Sequence, residues 1–340
     1  MQLAGMLGRI VGSSARVGTL TLAVLWAAAP SCAWGESDID PIELSISPIV
    51  LDTADPGPGH VPRLIWRGGL EITSDDERFG GFSGLVVSSE GSELLAVSDK
   101  GYWFSARLDY DAAGHLAGLD GGRIARLRDL DGEVLEKKKW RDAESLTALE
   151  DGATLVSFER NHRIWLYRSA ADPLDTTPSA WPQPPGLEDV PKNSGLEALV
   201  ALHDNGLLAL LQDHVDSSKG QAYLWHQNQW SPLTYQRRDG LEVRDAARLP
   251  GGDVVVLESG KLQSEEPVVQ LIRVATSNLR PHAHLQGSEL ARVEPPLNVH
   301  KFEGIVARGD SAGETLIYLL SDNDFDEDRP TLLVMFSLDD

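Results

Sequence analysis

Five copies of a short motif, each ahead of an apolar run, constrain this chain more than any other feature. They are Gly81-Phe82-Ser83-Gly84-Leu85, Asp142-Ala143-Glu144-Ser145-Leu146, Gly195-Leu196-Glu197-Ala198-Leu199, Arg244-Asp245-Ala246-Ala247-Arg248-Leu249 and Phe302-Glu303-Gly304-Ile305. Their polar members Ser83, Glu144, Glu197, Asp245 and Glu303 lie 61, 53, 48 and 58 positions apart. A period near fifty residues marks a repeat architecture, and among β-rich repeats that length suits a propeller blade.

Each motif has an echo further along, after a turn and a second apolar run. The echoes are Ser98-Asp99-Lys100-Gly101, Phe158-Glu159-Arg160-Asn161, Leu211-Gln212-Asp213-His214, Leu257-Glu258-Ser259-Gly260 and Ser321-Asp322-Asn323-Asp324. Motif and echo are joined by hairpin signals such as Glu150-Asp151-Gly152 and Pro250-Gly251-Gly252-Asp253 between β-branched runs. Aromatic-rich runs containing Trp103, Trp165 and Trp225 follow the first three echoes. Large aromatics in register are expected to fill the space between blades.

The expected fold is therefore all-β, a six-bladed β-propeller occupying residues 40–340 as one domain. Five blades carry motif and echo. The sixth is expected from both chain ends, with residues 44–51 and 63–66 joined by 332–336. Joining first and last strands closes the ring and removes exposed edges.

Residues 1–35 are expected to be a signal peptide, with Arg9 and Arg16 ahead of a short apolar run at 18–29 and small residues at 31–35. That run is too short to span a bilayer, so no transmembrane segment is expected. Cys32 is the only cysteine, and Ala29-Pro30-Ser31-Cys32 matches a lipid-attachment site poorly. An exported chain without disulfides suits a periplasmic or secreted bacterial protein. With 30 basic and 52 acidic residues, the net charge of −22 disfavours nucleic acid as a partner.

If each motif opens the innermost strand of a blade, Glu144, Glu197, Asp245 and Glu303 converge on the axis. Two carboxylates about 5 Å apart repel by roughly 3 kcal/mol at an effective dielectric near 20. Several such groups need a counter-ion or protonation. With oxygen donors and no recurring His or Cys, Ca²⁺ is the expected cofactor. Lys100 and Arg160 directly follow echo acids. They are the candidate stabilisers of an anionic ester's transition state, with Glu159 as the candidate base.

Sharper motifs fail. Leu85 replaces the last glycine of a nucleophile elbow, and Glu327 replaces the glycine of an EF-hand loop in residues 322–328. His282-Ala283-His284 lacks the spacing of a zinc protease.

Taken in order, the motifs and echoes from Gly81 to Phe325 resemble the phytase-like domain family, labelled "esterase-like activity of phytase". The resemblance runs from about Ser47 to Phe336. It implies a β-propeller and hydrolysis of phosphate or carboxyl esters. The leading expectation is a calcium-dependent phosphate-ester hydrolase acting on a small anionic substrate. Alternatives are a lactonase or carboxyl-esterase of gluconolactonase type and a non-catalytic, calcium-stabilised periplasmic binding module.

Overall fold

The computed structural model describes residues 38–52, 60–168, 172–212, 219–237, 240–261, 267–298, 300–326 and 328–339. The expected signal peptide, with its apolar run and Cys32, lies outside the described residues, as do Asp213, His214 and Glu327. Among described residues no helix is long and apolar enough to cross a membrane.

Five sheets, antiparallel except for one short parallel edge strand at His284–Leu285, follow one another along the chain, each starting with the strand that carries a repeat motif. Blade 1 runs outward from Phe82–Val87 through Glu93–Ser98 and Tyr102–Tyr110 to Leu116–Arg126. Blade 2 comprises Ala143–Ala148, Thr154–Phe158, Arg163–Tyr167 and Ser179–Ala180. Blade 3 begins with Leu196–Ala201 and Leu207–Leu211, and blade 4 with Glu242–Arg248 and Val254–Lys261. Blade 5 consists of Phe302–Gly309, Thr315–Ser321 and Thr331–Leu338, continued by Leu64–Thr73 and Ser45–Pro48 from the start of the chain.

The propeller thus has five blades, not six. Thr331–Leu338 is already the third strand of blade 5, and its free edge pairs antiparallel with Leu64–Thr73. The chain ends therefore complete the last blade and, among the described residues, leave no strands for another. Closure still joins the two ends, as edge pairing requires.

Apolar side chains of these strands form five buried clusters, each between neighbouring blades. Strand alternation explains this: on Thr154–Phe158, Leu155 enters the core shared with blade 3, while Val156 and Phe158 enter that shared with blade 1. The repeated tryptophans are buried in these cores, and Trp103 of blade 1 meets Tyr167 of blade 2 edge-on with ring centroids 5.1 Å apart.

Inner strands approach closely at the axis. A Cβ on Gly84 would lie 2.6 Å from the amide nitrogen of Leu146, so only glycine fits there. Polar groups complete the ring. Fully buried Asp245 of blade 4 accepts a hydrogen bond from Ser145 Oγ of blade 2 at 2.9 Å. Its other oxygen accepts from the backbone N–H of Ile305 in blade 5 at 3.0 Å. Ser145 Oγ in turn accepts from the N–H of Leu199 in blade 3 at 3.0 Å. One carboxylate and one hydroxyl therefore connect four blades.

Replacing Asp245 with Ala leaves Ser145 and the Ile305 amide without their acceptor in a dry interior. We expect Asp245→Ala to lower folding stability by about 2–5 kcal/mol, and Asp245→Asn, which retains one acceptor, by less. Chemical denaturation of the three proteins measures the difference.

Candidate functional site

Every inner strand carries a β-bulge near its start, and the residue skipped by the pairing is the same member of the repeat each time. The skipped residues are Ser83, Glu144, Glu197, Arg244 and Glu303. A bulge leaves one residue outside the ladder and re-aims its side chain. In blade 4 that residue is Arg244, one position before the Asp245 that the sequence pattern selects. The same offset affects the echo. Glu242 pairs with Ser259, while Glu258 is buried and accepts a hydrogen bond from Tyr235 Oη at 2.8 Å. A slip of one residue reverses the side chain's direction, which is why both blade 4 assignments move together.

The structure therefore brings Glu144, Glu197 and Glu303 together and sets Asp245 apart, among the small residues that follow each bulge. The strongest concentration of acid involves a residue the repeat pattern does not single out. Carboxylate oxygens of Asp142, Glu144 and Glu159 all lie within 4.8 Å of one another. Asp142 and Glu159 are buried and Glu144 partly so. The backbone links the first and last of them, because Glu159 N–H donates to Asp142 O at 2.8 Å. Gly195 of blade 3 makes room for Glu159; a Cβ there would lie 2.9 Å from Glu159 Cγ.

These acids hold their protons unusually firmly. Burial, then the charges of Glu197 and Glu159, pushes Glu144 well above the usual carboxyl range. Burial and neighbouring Glu303 push Glu197 to about 8, despite the opposing charge of Arg244. Burial and Asp142 raise Glu159 to about 7, against the pull of Arg160 and Lys138. Asp99, the echo acid of blade 1, rises to about 6, first through burial and then through Asp142. The set offers what a hard cation takes: several oxygens close together with little solvent around them.

Across the ring the acids are neutralised by the protein itself. Arg244 lies 3.2 Å from Glu303 and 2.7 Å from Glu242, and its Nε donates to Ser259 Oγ at 3.2 Å. Lys301 reaches Glu303 at 3.1 Å, Asp322 at 2.6 Å and Asp324 at 2.7 Å. The residual charge consequently falls toward blades 2 and 3.

Of the basic residues proposed from sequence, Arg160 has a left-handed backbone with φ of 61° and is ion-paired to Asp142. Lys100 Nζ rests 3.2 Å from the ring centroid of Phe325, and burial draws its pKa down. Lys138, whose charge bears on both Asp99 and Glu159, was not singled out by the motif. Its signal is the Lys137-Lys138-Lys139 run followed by Arg141, four cations just before the blade 2 motif in a strongly acidic chain.

Residues 77–325 match the family described as phytase-like, "esterase-like activity of phytase". The chain belongs to this family. Among curated proteins none matches the sequence. Solved structures similar to this member of the phytase-like family are remote in sequence. A PQQ-bound aldose sugar dehydrogenase from Streptomyces coelicolor is 10% identical, with 88% of this chain and 99% of that one covered and a TM-score of 0.43. Regucalcin, a calcium-binding protein from Agrobacterium tumefaciens, is 13% identical, with 88% and 93% covered and a TM-score of 0.40. A luciferin-regenerating enzyme is 12% identical, with 86% and 96% covered and a TM-score of 0.40.

A carboxyl with a folded pKa above its ordinary value binds its proton more tightly in the folded state. For Glu197 the associated stability is complete below about 4.5, declines as pH rises and is gone by about 8. Melting of the chelator-treated protein should therefore shift downward between these values. Glu197→Gln should flatten that decline and raise stability at pH 8 by on the order of 2 kcal/mol. Thermal melts of both proteins across this pH range check the sign.

Proposed function

We propose that the protein is an exported, calcium-dependent hydrolase of small phosphate esters, acting at the mouth of the propeller axis. The observation carrying this reading is the Asp142–Glu144–Glu159 cluster, whose carboxylate oxygens lie within 4.8 Å of one another and could hold a cation. Membership of a family named for ester hydrolysis supports the reaction class. These three residues would hold Ca²⁺, with Glu197 beside them. Such a cation, when bound, supplies positive charge that favours negative charge developing on an ester's oxygens.

The chain's own residues supply the rest. Glu197, poised at about 8, lies in the range where a carboxyl can take up and return a proton near neutral pH. Glu159, poised at about 7, acts mainly as a cation ligand, because the N–H of Gly195 and the charge of Arg160 both favour its ionised form. Arg160 acts through Asp142, fixing the carboxylate that it pairs with. Lys138 and Lys100 supply positive charge near Asp99, where an incoming anion meets the site. Asp245 is assigned to the axial hydrogen-bond network instead of the cation.

Adding calcium to chelator-treated protein should raise its melting temperature, and Glu144→Gln should remove most of that rise. Aryl phosphates should be hydrolysed with calcium present, with kcat at least a hundredfold lower in Glu197→Gln if it moves the proton. Faster cleavage of aryl acetates or sugar lactones, unaffected by added phosphate, would instead select a carboxyl-esterase or lactonase. Calcium stabilisation without turnover on any ester would select a binding module.

A further inference from the structure

The connection from blade 1 to blade 2 ends at Asp142, and beside it the structure holds a cavity of about 340 Å³. Its apolar walls are Leu130, Val134, Leu135, Trp140 and Trp165. Among the described residues only four large apolar side chains are exposed, and two of them, Leu130 at 47% and Trp140 at 38%, line this one cavity. Single exposed apolar residues are ordinary, but Leu130 and Trp140 lining one concavity make it a candidate binding surface.

The walls are held in place. The Arg163 guanidinium lies 3.8 Å from the ring centroid of Phe158 and 4.1 Å from that of Trp165. It donates to the backbone oxygens of Asn161, at 2.9 Å, and of Trp140. Trp140 therefore borders a preformed site. The cavity is also tied to the acid cluster through the chain. Trp140 stands two residues before Asp142, so their Cα atoms are within about 7 Å. Phe158, under the same guanidinium, immediately precedes Glu159.

We propose that this cavity binds a flat, uncharged aromatic group, which is the leaving-group portion of the ester substrate. The assignment rests on the ester hydrolysis proposed above and narrows its substrate to aryl esters. Exposed Trp140 offers an indole to a planar ring, buried Trp165 under Arg163 closes the wall, and the volume suits a group of one or two fused rings. The rim disfavours an anionic group inside the cavity. Asp129, Asp131 and Glu136 outnumber Lys137 there, so the anionic head of the ester lies outside the cavity, toward the cluster.

Binding of 1-naphthol to the full-length, chelator-treated protein, followed by the ligand's own fluorescence, tests the site without requiring turnover. Trp140→Ala should raise the dissociation constant about tenfold, Trp140→Phe should restore most of the affinity, and 1-naphthoate should bind more weakly than 1-naphthol. In the calcium-loaded protein, the preference in kcat/KM for 1-naphthyl phosphate over methyl phosphate should fall about tenfold in Trp140→Ala. Equal naphthol binding by wild type and Trp140→Ala, or no binding by either, overturns the aromatic site and leaves the hydrolase reading intact. Trp140-dependent naphthol binding with no ester cleaved overturns the hydrolase reading and keeps the aromatic site.

Discussion

Burying a carboxylate at the centre of a β-propeller is unfavourable unless several donors meet it, and Asp245 is met by donors from other blades. Because those donors come from blades 2 and 5, and Ser145 also engages blade 3, the hydrogen bonds form only when the ring is assembled. The same closeness makes Gly84 obligatory opposite Leu146. An axis packed this tightly leaves little room for water between the inner strands. The acids gathered where those strands begin therefore sit over a dry, low-dielectric base, where their mutual repulsion counts for more than it would in solvent.

Above that base, charge is distributed unevenly. Arg244 and Lys301 occupy the blade 4 and blade 5 side and neutralise Glu303. Blade 2 contributes three carboxylates, with Arg160 paired to one of them. The imbalance gives the ring a direction, with a self-compensated sector facing the one to which we assign the proposed cation. The connection carrying Lys138 and Trp140 enters next to the blade 2 acids, so apolar surface, positive charge and carboxylates lie close along one stretch of chain.

Much of this was legible in the motifs. Glu144, Glu197 and Glu303 were recognisable because each is preceded by an apolar residue and followed by a small one, then by another apolar residue. Blade 4 obscured the pattern. Its bulge places Arg, not an acid, at the recurring position, and the adjacent Asp245 imitated the missing carboxylate. Asp142 was visible as the first residue of its motif, yet the equivalent positions hold Gly81, Gly195, Glu242 and Lys301, so recurrence gave it no weight. The blade number differs from the expected six for a related reason. A period near fifty includes long connections such as residues 127–142, and dividing the length by that period counted the chain ends as a separate unit.

The sequence alone determined the all-β repeat, the five strand starts and the acidic character of the axis, because turn chemistry, strand periodicity and motif spacing are local and additive along the chain. Tertiary structure decided which of two neighbouring residues each bulge turns out of the ladder, how the ends close the fifth blade, and which acids share a neighbourhood. Those outcomes depend on register and on distances between segments far apart in the chain. A one-residue shift leaves composition and pattern almost unchanged, yet it exchanges a buried structural carboxylate for an arginine in the ring.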